Sequence, residues 1–335
     1  MENPMRESHT PAMTRRAALL ALAGAAISPG VMAQQGRSVI ATRRLNNVMI
    51  AVSDLDRSVA FYEKLFGPPA RQGDTAVFGL GDGPHFFALT PAKAGAKPGF
   101  LSYGMTVEDF DANRIMRTLT DLGVSGAQVS LRGDTPEVFV PDPNGIRIQL
   151  QHTSYGHGSG VRGDVMALPP APLAALPLRL RTINHVTLAL RDGPGEKAFY
   201  QTVFGMPVRA MQGPATVTLG IGEGTDGIAF NAVTHNPNAV PGINHVCFTI
   251  ENFDPGRVIA TLVANGLEPI ENGIAALIKP LTCRVRWRQR ANNGGGPTSP
   301  LGTPELYFTD PDNIPIQIQD ATYCGGSGAL GQICP

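Results

Sequence analysis

The chain has 335 residues, 42% of them hydrophobic and 16% charged, which suits packed cores and excludes wholesale disorder. Lys+Arg and Asp+Glu both count 27, so the formal net charge is zero; this argues against nucleic acid as the main partner, because such binding needs a surplus of cations. With 39 Gly, 29 Pro and 6% aromatics, the chain reads as short elements joined by many turns, and at about 150 residues per domain it predicts two domains.

At the N-terminus, Thr14-Arg15-Arg16 precedes an unbroken apolar run from Ala17 to Ile27, followed by Val31-Met32-Ala33. The run is too short to span a bilayer. A charged start, an apolar middle and small residues at the end predict a signal peptide over residues 1–33. The competing reading, a buried amphipathic helix, lacks a polar face. The arginine pair resembles a twin-arginine (Tat) signal, which implies a periplasmic or secreted protein, free of the membrane after processing, and a route suited to a cofactor loaded before export.

The remainder contains an internal duplication. Leu45-Asn46-Asn47-Val48 aligns with Ile183-Asn184-His185-Val186, Ala60-Phe61-Tyr62 with Ala198-Phe199-Tyr200, and Phe66-Gly67 with Phe204-Gly205, each 138 positions apart. Gly99–Ser102 aligns with Gly242–His245; Thr135-Pro136-Glu137, Asp142-Pro143 and Ile148–Gln151 align with Thr303-Pro304-Glu305, Asp310-Pro311 and Ile316–Gln319. The extra residues of the second copy fall mostly between Glu268 and Pro300. Residues 44–155 and 182–323 are therefore the two domains, 156–179 a Pro/Gly-rich linker and 324–335 a C-terminal tail.

In chain order, each copy predicts a strand (Leu45–Val52; Ile183–Leu190), a helix ending at Phe-Gly (Leu55–Phe66; Pro194–Phe204) and short strands such as Ala76–Leu80 and Phe86–Leu89. A further strand (Leu101–Val107; Asn244–Ile250), a second helix (Phe110–Leu122; Pro255–Asn265) and two strands around an Asp-Pro turn complete it. The unit is βαβββ, used twice per copy. Strand alternation puts His185, Thr187 and Ala189 on one face, His245, Cys247 and Thr249 on another, and Gln317 with Gln319 on a third, each opposed by large apolar residues. Such a face could meet bulk water, but His, Cys, Gln and Ala suit a concave, partly buried interior better.

This pattern resembles the vicinal oxygen chelate superfamily: glyoxalase I, bleomycin resistance proteins and extradiol ring-cleaving dioxygenases. The resemblance rests on Asn-His185-Val, the Ala-Phe-Tyr…Phe-Gly helices and the closing Phe-Thr-Asp-Pro-Asp-Asn-Ile-Pro-Ile-Gln317. It implies an α+β fold of tandem βαβββ modules curled into two cup-like mixed sheets, with helices outside. It also implies a divalent transition metal (Fe, Mn, Zn, Ni or Cu) held by His185, His245 and Gln317. In the dioxygenase branch the third ligand is Glu. Gln317 brings no charge, so either it coordinates through its amide oxygen or it only hydrogen-bonds beside a histidine pair. The first copy has Asn47, Ser102 and Gln149 at these positions and is expected to be metal-free, as in two-domain dioxygenases whose N-terminal copy is structural.

Tyr307, where the first copy has Phe139, resembles the dioxygenases' substrate-contacting Tyr, with a merely packed Tyr as the alternative. No clear counterpart of the family's acid–base His exists; His235 lies in an Asn/Pro loop, and His85, His152 and His157 read as loop or strand-end residues. Cys247 could be a ligand, a redox group or core. Cys324 and Cys334 could close a small ring, while Cys247 and Cys283 could pair or stay free. Arg284, Arg286, Arg288 and Arg290 alternate, either as a lid bringing cations to an anionic substrate or as a charge-guarded edge strand.

The expectation is an exported metal-dependent enzyme acting on a small substrate with vicinal oxygens. An extradiol-type dioxygenase is its most specific form, with Tyr307 catalytic. A glyoxalase-type lyase or isomerase, or a non-catalytic periplasmic binding or resistance protein, are the alternatives; a homodimer stays open.

Overall fold

A computed structural model describes residues 39–167, 176–212, 216–231, 238, 240–270, 279–288 and 302–334. The expected signal peptide, His235 and Arg290 lie outside these residues. Among the described residues no helix is long and apolar enough to cross a membrane.

The first copy forms one eight-stranded sheet. Its elements are β1 (Thr42–Val52), α1 (Leu55–Phe66), β2 (Ala70–Gln72), β3 (Thr75–Leu80), β4 (His85–Pro91), β5 (Gly99–Val107), α2 (Ala112–Asp121), β6 (Gln128–Arg132), β7 (Thr135–Pro141) and β8 (Arg147–His152). The second copy repeats the plan with nine strands: β9 (Leu180–Ala189), α3 (Gly193–Phe204), β10 (Val208–Gln212), β11 (Thr216–Gly220), β12 (Gly227–Asn231), β13 (Gly242–Ile250), α4 (Pro255–Ala264), β14 (Glu268–Pro269), β15 (Thr282–Arg288), β16 (Thr303–Thr309) and β17 (Pro315–Asp320). The strand orders, β2-β3-β4-β1-β5-β8-β7-β6 and β10-β11-β12-β9-β13-β17-β16-β15-β14, correspond, with β14 added at an edge. The fold is the expected α+β pair of curled mixed sheets.

Among the described residues all four helices begin at an aspartate: Asp54, Asp111, Asp192 and Asp254 each accept from a backbone N–H three residues on. Each such cap is worth about 1 kcal/mol. α3 ends at Gly205 with φ +66°, a left-handed C-cap that favours glycine.

The apolar faces of both sheets and the helices share one core, in which Phe87 meets Phe248 with centroids 5.3 Å apart. Two hydrogen bonds cross between the copies in reciprocal fashion. The Tyr62 hydroxyl of α1 donates to Asp310 in the second copy's Asp-Pro turn (3.1 Å), and the Tyr200 hydroxyl of α3 donates to Asp142 in the first copy's turn (3.2 Å). The duplicated Phe-Tyr and Asp-Pro motifs are thus two halves of one contact, made twice.

The segments after β8 and β17 also correspond. Residues 155–166, expected to begin a linker, instead form a compact strap: Gly156 N–H donates to the Gly163 carbonyl, Met166 N–H to the Gly156 carbonyl, and His157 bridges to Val165. Residues 323–334, expected as a tail, repeat it: Cys324 N–H donates to the Gly331 carbonyl, Ser327 bridges to Ile333, and a Cys324–Cys334 disulfide stands where Gly156 and Met166 use a backbone bond. Gly-rich composition signals these turns but not their folding back onto the sheet.

Candidate functional site

The second cup encloses a cavity of about 910 Å³, lined from every strand of its sheet except β14, with the strap contributing Tyr323, Cys324 and neighbours. His185 from β9, His245 from β13 and Gln317 from β17 converge on it and are 7%, 9% and 1% exposed. Gln317 Oε1 lies 3.1 Å from His185 Nε2 and 2.9 Å from His245 Nε2. All three sequence-predicted metal positions therefore meet at one point.

Their protonation follows from the neighbours. The Asn184 Nδ2 amide donates to the Tyr323 carbonyl (2.6 Å), which turns its Oδ1 toward His185 Nδ1 at 2.8 Å. An amide oxygen only accepts, so the His185 proton sits on Nδ1. Asn244 Oδ1 faces His245 Nδ1 in the same way, at 2.8 Å. Each Nε2 then carries a lone pair, and both lone pairs face a third acceptor, Gln317 Oε1. The Thr187 hydroxyl, 3.0 Å from His245 Nε2, supplies a proton to that ring only. Gln317 Nε2 is buried without a partner. Burial pushes His185 down to about 3, with the adjacent His245 adding to it, and pushes His245 down to about 4; both rings are neutral at physiological pH.

Two neutral imidazoles and an inward amide oxygen with no proton to share are a donor set that could hold a divalent transition metal. Rotated by 180°, the same carboxamide would donate to both rings and close the site without one. Among the described residues no three His, Cys, Asp or Glu side chains converge, so a His-His-carboxylate triad is absent.

Tyr307 on β16 packs edge-on against His245, centroids 5.4 Å apart, and its hydroxyl donates to Glu305 Oε2 at 3.2 Å. Burial, with Glu305 adding to it, pushes the phenol well above its ordinary range, so it stays protonated. Glu305 also accepts from Arg288 Nε (3.0 Å) and from the Tyr323 hydroxyl (3.2 Å). Cys247 pairs in register with both His185 and Gln317 but is fully buried, its thiol held protonated by that burial. Cys283 belongs to the shared core, and both cysteines are free. Arg286 and Arg288 of the alternating row line the cavity. His85 opens β4 and His157 lies in the strap, and both are buried.

The first cup keeps the frame and loses the chemistry. Asn46, the counterpart of Asn184, again donates to a tyrosine carbonyl (Tyr155, 2.8 Å), but its Oδ1 accepts from Asn47 Nδ2 (3.1 Å) and Gln151 Nε2 (2.9 Å), so amide protons occupy the polar cluster. The interior is filled: Phe86 pairs with Asn47 where Gly227 pairs with His185, and it packs with Val77, Ala88, Met49, Tyr155 and the strap's Met166.

Residues 44–150 match the family model of the Glyoxalase/Bleomycin resistance protein/Dioxygenase superfamily. That match covers the first copy, and the second repeats its strand order. Among solved structures, a Mn(II)-bound glyoxalase from Novosphingobium aromaticivorans is 16% identical with a TM-score of 0.60, over 84% of this chain and 82% of its own. An extradiol ring-cleaving dioxygenase from B. fuscum is 16% identical, TM-score 0.58, over 87% and 75%. A catechol 2,3-dioxygenase is 13% identical, TM-score 0.56, over 84% and 88%. At these identities the likeness is one of fold. No curated protein has a matching sequence.

Proposed function

We propose that this is an exported, metal-dependent enzyme acting on a small substrate with two adjacent oxygens. The observation that carries the reading is the meeting of His185 Nε2, His245 Nε2 and Gln317 Oε1 without a shared proton. These three side chains would hold a divalent transition metal, which when bound supplies Lewis acidity to the substrate oxygens. Asn184 and Asn244 hold the two rings in the ligating tautomer. Because Gln317 adds no negative charge, the site binds more weakly than one with a carboxylate and leaves the ion's charge undiminished. Tyr307, kept protonated by burial, donates that proton to Glu305, so its hydroxyl oxygen would accept from a substrate hydroxyl beside His245 and orient it. The first cup serves as structure.

Ring cleavage of a catechol-like substrate with dioxygen is the most specific form of this reading, supported by the likeness of fold to the catechol 2,3-dioxygenase named above. The neutral Gln317 favours a second reading, a lyase or isomerase reaction like that of the glyoxalase relatives. Elemental analysis of the full protein purified from an exporting host is expected to find about one transition metal per chain. Oxygen uptake with a panel of catechols then supports ring cleavage; metal retention without uptake supports the lyase. A metal-free protein that binds such ligands stoichiometrically would overturn both and leave a binding protein.

A further inference from the structure

The duplication supplies an internal control for the substrate. Register equates positions across the copies: Ser130 pairs with Glu137 as Arg286 pairs with Glu305, and Arg132 pairs with Thr135 as Arg288 pairs with Thr303. Arg132 and Arg288 do the same work in both cups. Each donates through Nε to its glutamate, at 2.9 and 3.0 Å, and each fastens a strap carbonyl. They belong to the frame. Arg286 does not: its counterpart is Ser130, so this cation occurs only in the cup that also holds His185, His245 and Tyr307.

The charges lining the cavity are accounted for except this one. Arg209 donates to the carbonyls of Gly222, Gly224 and Asp226. Glu305, the only acidic side chain among the described lining residues, already accepts from Arg288, Tyr307 and Tyr323. Arg286 lines the cavity, is exposed to it, and has no hydrogen bond or ion pair with any described residue. Arg286 pairs across the β15–β16 ladder with Glu305, which accepts from Tyr307, the residue packed against His245; its charge therefore borders the converging site.

We propose that Arg286 is an anion subsite, and that the substrate is a carboxylate-bearing molecule whose acid group pairs with this guanidinium while its vicinal oxygens face His185, His245 and Gln317. A carboxylate matches the guanidinium fork in two parallel N–H···O bonds, and the cavity of about 910 Å³ holds both ends of such a molecule. This rests on the metal-site reading for the position of the oxygens but not for the anion.

The test uses 3,4-dihydroxybenzoate and its methyl ester, chelators of one shape that differ in charge, titrated calorimetrically against the full protein with and without Mn(II). The acid is expected to bind about tenfold more tightly than the ester. Arg286→Gln is expected to abolish that preference while leaving ester binding and Mn(II) affinity unchanged, and Arg286→Lys to restore part of it. Equal affinity for acid and ester in the unaltered protein, or no binding of either at millimolar concentration, overturns the subsite. If the protein takes up no Mn(II) yet still prefers the acid through Arg286, the metal reading fails and the subsite stands.

Discussion

The two cups are built from one plan and differ in what fills them. The bulge-borne Asn that reaches a tyrosine carbonyl, the Arg–Glu–Tyr group under the strap and the strap itself occur in both. In the first cup, amide protons occupy the polar cluster, and Phe86 with Met166 occupies the hollow. In the second, Gly227 stands for Phe86 and Thr187 for Met49, the hollow is open, and imidazoles, a phenol and a guanidinium with no partner among the described residues line it. Shared residues thus mark what the fold needs and unshared ones what the chemistry needs, a separation that a single-copy protein does not offer.

The sharpest way to break the comparison is to remove one imidazole. His245→Ala is expected to lower metal affinity by more than about 100-fold, whereas Ser102→Ala at the matching position leaves it unchanged; metal content by elemental analysis reads both. Equal effects would mean that the second cup is no more a metal site than the first.

The junctions between the copies are expected to titrate differently. Glu196 of α3, buried against Asp142, is pushed up to about 9 by burial and by that neighbour, while Asp310 at the opposite junction is pushed up to about 6, mainly by burial. An unfolded Glu ionises near 4.5, so between that value and about 9 the folded state holds the extra proton. Stability then falls as pH rises through this window, by up to about 1 kcal/mol per pH unit. Asp310 is half ionised near pH 6, so its contribution is spent only above about pH 7, and the slope beyond belongs to the Glu196–Asp142 pair. Denaturant midpoints measured from pH 7 to 9 are expected to flatten in Glu196→Gln; an unchanged slope would refute the assignment.

The smallest effect concerns the straps. Cys334→Ser opens a ring of short sequence separation, with an expected loss of about 2 kcal/mol. It is expected to speed amide exchange over residues 323–334 but not over 155–166, where backbone bonds do the same work. Uniform acceleration over both would show that the disulfide does not act locally.

Much of this was legible in the sequence. The Phe-Gly stops and aspartate starts delimit helices well, and Leu55–Phe66 has the expected bounds. Strand alternation set His185, His245 and Gln317 on inward faces, and the family resemblance joined them. Alternation also concealed the residues beside them. Neighbours in a regular strand point to opposite faces, so Asn184 and Asn244 read as apolar-side residues. The pairing of β9 with β13 skips both positions, and such bulges re-aim a side chain, so each Asn turns onto the ring that follows it. The repeated Ile-Asn-His-Val at 183–186 and 243–246 was the available signal. The strap was missed because its bonds join a Gly-rich segment to a distant strand, and no local periodicity encodes that.

The crossed Tyr62–Asp310 and Tyr200–Asp142 bonds make each copy a structural requirement of the other. Excising the first copy would strand the buried Asp310 carboxylate and uncover Phe248, which meets Phe87 across the seam. The walls of the filled hollow are thus the footing of the open one.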